Sequence, residues 1–279
     1  MIVVTGATGN VGRHLVHTLA AAGERVTALS RRVPTGNVPS NVEFQQADPA
    51  RTESLKRVLD GADALYLLVP GDGEGFDPYA ILDTVRAAGV RRVVLQSSQA
   101  TATRPHSPAH ARLRAFEDAV RESGLGWTVL RPSGFASNAY MWAASVHSER
   151  TVAAPFGEVG LPVIDPADIA AVATVALRDG SHAGRTYELT GPAPVSPREQ
   201  ARAIGDALGV PVRFVEQSRA EAREVMLRFM PEPAVEGTLG ILGEPTAEER
   251  RVSPAVERIL GRAPRTFAAW AADNVVAFR

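Results

Sequence analysis

Along the first half of the chain, short β-branched runs alternate with segments whose apolar residues recur every three to four positions. That is the pattern of strands joined by amphipathic helices. The runs predict strands over residues 2–5, 25–30, 42–47, 64–69, 92–97 and 127–130, and the periodic segments predict helices over 11–22, 52–59, 78–88 and 109–123. Strands this continuously apolar, separated by helices, belong in a parallel sheet covered on both faces. Each of the four helices stops beside a glycine, at Gly23, Gly61, Gly89 and Gly124, where a left-handed C-terminal cap forms most easily.

After Arg131 the alternation loosens. Asp165, Pro166 and Asp168 mark one more helix start, and Ser196, Pro197 and Glu199 spell a capping box at the next, with a strand expected over 187–190 between them. Phe267, Trp270, Val275 and Phe278 recur at helical spacing near the C-terminus, a core-packing face. The pattern as a whole predicts an α/β fold. A Rossmann-type doubly wound parallel sheet is expected over residues 1–150, with segments near 163–190 returning to it; residues 191–279 form a smaller C-terminal α/β lobe, mainly helical, expected to hold the substrate.

Composition narrows the chemistry. The 279 residues are 45% hydrophobic and 22% charged, enough to bury a substantial core. With 30 basic and 31 acidic side chains the net charge is −1, so there is no broad positive field for nucleic acid or anionic lipid. Absence of cysteine excludes disulfides, thiolate nucleophiles and cysteine-bound metal clusters, and no histidine or carboxylate cluster has metal-ligand spacing. No basic leader precedes the first strand and no stretch reaches the roughly 18 apolar residues of a membrane span, so the expected address is cytoplasmic. All but one of the basic residues are arginine; Lys56 is the sole lysine.

The opening stretch MIVVTGATGNVG places Gly6, Gly9 and Gly12 between a strand and an amphipathic helix, the context that gives a glycine triplet its meaning. Gly6 permits the tight turn, Gly9 lets backbone approach a pyrophosphate, and Gly12 lets the helix pack closely. Thr8, Asn10 and Val11 complete a loop whose amides, with the positive end of the helix dipole, face phosphates. The second strand ends in Arg31 and Arg32 where an NAD enzyme carries an acid; guanidinium groups there favour a 2′-phosphate, hence NADP(H), although two solvated loop arginines fit the same letters. Asp48 reads either as an adenine contact or as a turn former before Pro49.

TGATGNVG, VVLQSS, GLGWTVLRPSGF, YELTGP and the ending GRAPRTFAAWAADNVVAF together resemble the NmrA-like group of atypical short-chain dehydrogenases/reductases. The resemblance implies a dinucleotide-binding fold and a group that includes NADPH-dependent quinone and dye reductases as well as nucleotide-sensing regulators. It also implies that the nicotinamide lies beside Leu68, Val69 and Pro70, then Ser97 and Ser98, then Pro132, Ser133, Gly134 and Phe135. The rule that ligands bind beyond the carboxyl ends of open parallel strands points to the same strand tips.

Typical members of the wider superfamily protonate a carbonyl with a tyrosine activated by a lysine four residues on. Here Tyr66, Tyr79, Tyr140 and Tyr187 are followed at that spacing by Pro70, Asp83, Ala144 and Gly191, so the dyad is absent. Tyr140, Ser97 and His110 remain as alternative acids, with His106 and His110 equally readable as solvated histidines. Phe135, Asn138, Tyr140 and Trp142 read as an aromatic, partly polar wall for a planar substrate or as core packing. Met226 and Met230, in MLRFM, read as an adaptable apolar lid or as plain core. Hydride transfer from NADPH to an electron-poor quinone, enone or polyketide-like aromatic needs no protein acid, whereas a plain ketone does, since general acid catalysis is worth about 10²–10⁴-fold. The expected function is therefore reduction of a conjugated small molecule by a monomer or homodimer. The alternatives are a non-catalytic NADP(H) sensor that docks on a protein partner and an isomerase or dehydratase that keeps its cofactor.

Overall fold

The computed structural model describes residues 1–30, 38–48, 50–69 and 75–279. Its strands are β1 (Ile2–Val4), β2 (Val26–Ser30), β3 (Val42–Gln46), β4 (Ala64–Leu68), β5 (Arg92–Gln96), β6 (Gly126–Pro132), β7 (Thr151–Pro155), β8 (Arg185–Leu189) and β9 (Arg213–Gln217). The helices are α1 (Gly12–Ala21), α2 (Thr52–Val58), α3 (Pro78–Ala87), α4 (Ala100–Thr103), α5 (Ala111–Glu122), α6 (Ala143–Glu149), α7 (Pro166–Arg178), α8 (Pro197–Leu208), α9 (Arg219–Met226), α10 (Glu232–Gly243), α11 (Ala247–Arg250), α12 (Ala255–Leu260) and α13 (Phe267–Asp273).

Seven strands form one sheet in the order β3-β2-β1-β4-β5-β6-β8, and β3 through β6 pair in parallel. The fold is thus the doubly wound α/β architecture expected, with the strand order reversing between β1 and β4. Both faces are covered. Val3, Leu29, Leu65, Leu67, Val93 and Leu95 pack into a cluster with Leu55 of α2, Ile81 and Val85 of α3, and Phe116 and Val120 of α5. Side chains alternate across a strand, so Ile2 and Val4, also buried, point to the opposite face, where α1 packs against α7. Double coverage is why these strands read as unbroken apolar runs. Gly23, Gly61, Gly89 and Gly124 all have φ between +69° and +81°, the left-handed cap that their place after each helix required.

Contacts divide the chain into two units. The first holds residues 1–102, 110–132 and 166–188; the second holds 103–109, 133–165 and 189–279. The boundary expected at residue 150 falls instead after Pro132, the last residue of β6: the chain beyond it leaves the sheet, and residues 133–165 are counted with the later helices. The second unit is not purely helical, because β7 and β9 pair in parallel, a two-stranded sheet the loosened pattern did not reveal. Its core gathers Val146, Val152, Ile204, Phe267, Trp270 and Phe278, so the C-terminal apolar spacing is indeed a core face. The capping box at α8 is complete: the Ser196 amide donates to Glu199 Oε2 at 2.8 Å and the Glu199 amide to Ser196 Oγ at 3.3 Å. Among the described residues no helix is long and apolar enough to cross a membrane.

Phe278 is 0% exposed while its neighbour Val276 is 73% exposed. Phe278→Ala is expected to cost about 3–5 kcal/mol in chemical denaturation, from lost transfer energy and the cavity left behind, whereas Val276→Ala stays within about 0.5 kcal/mol of wild type.

Candidate active site

The tip of β1 is held by Thr5. Its amide and its hydroxyl both donate to the Tyr66 carbonyl at 3.1 Å, and its oxygen accepts the Leu68 amide at 2.7 Å, so β1 and β4 are stitched together where the strand order reverses. Gly6 then turns the chain with φ +64°, and the Ala7 amide donates to the Leu29 carbonyl at 3.0 Å, fastening the loop to β2. Space closes quickly around the loop. A Cβ on Gly12 would lie 2.1 Å from the Gly6 carbonyl oxygen and 2.8 Å from Ala7 Cα, both backbone atoms, so the first turn of α1 rests on the loop itself. A Cβ on Gly9 would come within 3.2 Å of the same carbonyl.

α1 therefore begins against bare backbone. No side chain caps it and no acidic residue stands in its first turn, so the chain leaves the positive end of the helix dipole unneutralised. Thr8, Gly9 and Asn10 are exposed beside it, while Val11 and Gly12 are buried. A glycine cradle and an uncapped helix start together fit the diphosphate of a dinucleotide.

The other residues named for the cofactor are spread over the strand tips. Leu68 is half-buried, with its side chain against Gly6; Val69, Ser97 and Pro132 are buried. The Ser97 amide donates to the Leu130 carbonyl at 2.7 Å and the Gln99 amide to the Pro132 carbonyl at 2.9 Å, binding the exit of β5 to the end of β6. Arg31, Arg32 and Pro70 lie outside the described residues. Asp48 acts as a turn former: its Oδ1 accepts the Ala50 amide at 3.1 Å and its carbonyl accepts the Ser54 hydroxyl at 2.7 Å.

Beside Ser97 stands a group that sequence patterning passed over. Glu117, on α5, is 1% exposed and wholly hydrogen-bonded. Its Oε1 accepts the Ser97 hydroxyl at 2.6 Å, the Thr101 hydroxyl at 2.8 Å and Arg131 Nε at 2.9 Å; its Oε2 accepts both Arg131 and, at 2.7 Å, Arg121. Burial pushes this carboxyl up, but bonds from Arg131, Ser97, Thr101 and Arg121 outweigh it and bring the pKa down to about 2. Glu117 is an anion at any working pH. Phe116, Ala119 and Val120 gave α5 its apolar stripe; the sequence signal for Glu117 was its place beside that stripe, where a lone carboxylate demands partners.

Every tyrosine hydroxyl has a partner. Tyr66 donates to Gln96 Oε1 in the sheet interior, where burial pushes its phenol far above the usual range. Tyr79 donates to Glu122 at 3.2 Å, Tyr187 lies 2.8 Å from His182 Nδ1, and Tyr140 donates to Asn274 Oδ1. The only lysine, Lys56, pairs with Glu53 at 2.6 Å. His110 stands half-buried at the start of α5 without capping it, and His106 is exposed.

In the second unit, several substrate candidates turn out to be structural. The Tyr140 ring meets Trp270 edge-on at 5.1 Å and stacks on Phe278 at 6.2 Å, so the ring belongs to the core and the hydroxyl donates to Asn274. Trp142 is buried in the same cluster. Met226 is buried against Ala222, Val235 and Leu239 with Met230 packed on that cluster, which corrects the lid reading: within MLRFM it is Leu227 and Phe229, the latter 61% exposed, that face outward. Phe135 is half-buried and Asn138 exposed, so both remain accessible; Ser133 donates to the Pro162 carbonyl at 2.7 Å, and Gly134 is exposed.

A family model described as NAD(P)H-binding matches residues 6–180. Over its full length the chain is 37% identical to the (4-alkanoyl-5-oxo-2,5-dihydrofuran-3-yl)methyl phosphate reductase of Streptomyces griseus, covering 99% of that protein. It is 31% identical to the NAD(P)H azoreductase of Xenophilus azovorans, covering all of this chain and 99% of that one. Among solved structures, the NADPH complex of quinone oxidoreductase QOR2 from Escherichia coli superposes with a TM-score of 0.79 at 20% identity, over 98% of this chain and 99% of the other.

Gly12→Ala is expected to abolish dinucleotide binding in a titration, because its Cβ has only backbone to push against; the helix start must shift. For Glu117 the folded pKa lies below the unfolded value of 4.5, so its contribution to stability is complete above that value and is lost as pH falls toward 2. Urea midpoints should thus fall from pH 5 to pH 3 in wild type. Glu117→Gln should lose about 3–5 kcal/mol at pH 7 and show a flatter acid limb.

Proposed function

The chain belongs to the NAD(P)H-binding family, and from that premise we propose that it is an NADPH-dependent reductase of planar, conjugated small molecules. The observation that carries the substrate class is the fate of the acids: all four tyrosine hydroxyls are engaged elsewhere, the only lysine pairs with Glu53, and the hydroxyl nearest the β5 tip donates into an ionised carboxylate. Without a tyrosine–lysine acid, a substrate that spreads the incoming charge over its own π system is favoured over one that needs its oxygen protonated in step.

The parts divide the work simply. Gly6, Thr8, Gly9, Asn10, Val11 and Gly12 would hold the diphosphate on the α1 amides, and Arg31 and Arg32 would fork onto the 2′-phosphate, selecting NADPH over NADH. NADPH, when bound, supplies the hydride. Leu68, Val69, Pro70, Ser97 and Pro132 would fix the ring and keep water from it. The names of the two relatives support the class, since an alkanoyl-substituted 5-oxo-2,5-dihydrofuran is an alkene conjugated with two carbonyls and an azo group is a conjugated N=N bond. An acylbutenolide-type enone or a quinone is accordingly the preferred acceptor.

The test is NADPH oxidation by purified protein with a quinone, an acylated butenolide, an azo dye and cyclohexanone. Turnover is expected with conjugated acceptors and not with the saturated ketone. Equal turnover of cyclohexanone overturns the substrate class; tight NADPH binding without turnover across the panel returns the chain to the sensor reading. In thermal shift, preferential binding to the folded state should raise the midpoint more with NADPH than with NADH. A larger shift with NADH would overturn the role given to Arg31 and Arg32.

A further inference from the structure

Ser97 follows β5 directly, at a strand tip next to β4, and is 6% exposed. Its single hydroxyl proton is committed to Glu117 Oε1 at 2.6 Å, and among the described residues no donor is aimed at the Ser97 oxygen. A hydroxyl in that state has donated what it has; only its lone pairs remain on offer. Glu117 cannot release it by turning away, because Arg131 grips both carboxylate oxygens, Arg121 holds one and Thr101 the other. We propose that Glu117 is a positioning residue that holds Ser97 as an obligate hydrogen-bond acceptor, and that the Ser97 oxygen takes the N–H of the nicotinamide carboxamide and so fixes which way the ring is turned. This rests on the reading that the nicotinamide lies beyond the β4 and β5 tips.

The assignment removes Ser97 from the acids considered for substrate protonation and gives it a different task. The carboxamide carries both a donor, its NH₂, and an acceptor, its carbonyl. An acceptor-only partner chooses the NH₂, and the choice decides the orientation of the ring. A serine free to rotate would accept from the NH₂ or donate to the carbonyl and so choose neither. Glu117 thereby acts on the ring only through Ser97.

Binding of NADP⁺, of 2′-phospho-ADP-ribose, which lacks the nicotinamide, and of 3-acetylpyridine adenine dinucleotide phosphate, which keeps the ring carbonyl but has no N–H, separates the possibilities by calorimetry. Wild type should bind the acetylpyridine analogue about 3–10-fold more weakly than NADP⁺, the scale of one hydrogen bond. Ser97→Ala should weaken NADP⁺ by the same factor, leave the acetylpyridine analogue and 2′-phospho-ADP-ribose unchanged, and be rescued by Ser97→Thr. If the analogue binds wild type as tightly as NADP⁺, Ser97 donates rather than accepts and the proposal falls. If Ser97→Ala weakens all three ligands equally, the residue is merely structural and the proposal again falls. Failure of wild type to bind any of the three instead defeats the cofactor reading beneath it. Glu117→Gln, where it folds, should bind NADP⁺ and the acetylpyridine analogue alike, since its amide can turn a donor toward Ser97 and leave the serine proton for either ligand's carbonyl; unchanged discrimination in that variant would show that the carboxylate does not set the polarity.

Discussion

The first turn of α1 stands on the backbone of the loop before it, with no room for a Cβ at Gly12, and the direction of the helix start follows from that contact. A helix that begins one side chain farther away would aim its amides past the strand tips. Thr5 supplies the complementary constraint, because it locks the exits of β1 and β4 in register at the point where the strand order reverses. Between them these contacts turn a general property of parallel sheets, with free ends and helix dipoles collected on one edge, into a geometry that fits an anion. The absence of a capping side chain or first-turn acid on α1 matters for the same reason. A cap would satisfy those amides internally and compete with a phosphate for them.

The Glu117 cluster shows the opposite use of buried charge. Removing a carboxylate from water is costly, and the cost is met only when its lone pairs are filled. Here two hydroxyls and two guanidinium groups fill them, drawn from the β5 exit, α4, α5 and β6. One side chain thus cross-links the segments that shape the strand tips. Arginine suits this place better than lysine, because a planar fork reaches both oxygens at once where a point charge reaches one. It also never gives up its proton.

Elements governed by local periodicity were legible in the sequence to within a residue or two: the six strands of the first half, their four helices, the left-handed glycine caps and the α8 capping box. What escaped depended on distant partners. β9 and β7 pair across a gap in sequence that no short pattern spans, and strand propensity over RFVEQ is weak without its partner. Tyr140 and Trp142 fit a ligand wall and a core equally well by spacing; only Trp270, Phe278 and Asn274, more than a hundred residues later, decide for the core. Met226 is the same case on a smaller scale. Glu117 was passed over because a charged letter beside an apolar stripe ordinarily means a solvated helix face, and the arginine that overturns this lies on β6.

Scarcity of lysine and the chemistry of the site are connected through what each basic group can do with a proton. A lysine beside a tyrosine can tune a phenol toward neutrality and deliver a proton within the hydride step. An arginine beside a carboxylate can only hold it ionised, as the depressed pKa of Glu117 records. Of the groups bonded around Ser97, the Glu117 carboxyl is held down to about 2 and its Arg131 partner is held charged, so this ion pair offers no proton donor near neutrality. A strand tip arranged in this way orients without protonating. The proposed reaction fits such a surface because its charge can wait on the substrate: a hydride delivered to one end of a conjugated system leaves the electrons on a remote oxygen or nitrogen, where solvent completes the reduction after the ring has already done its part.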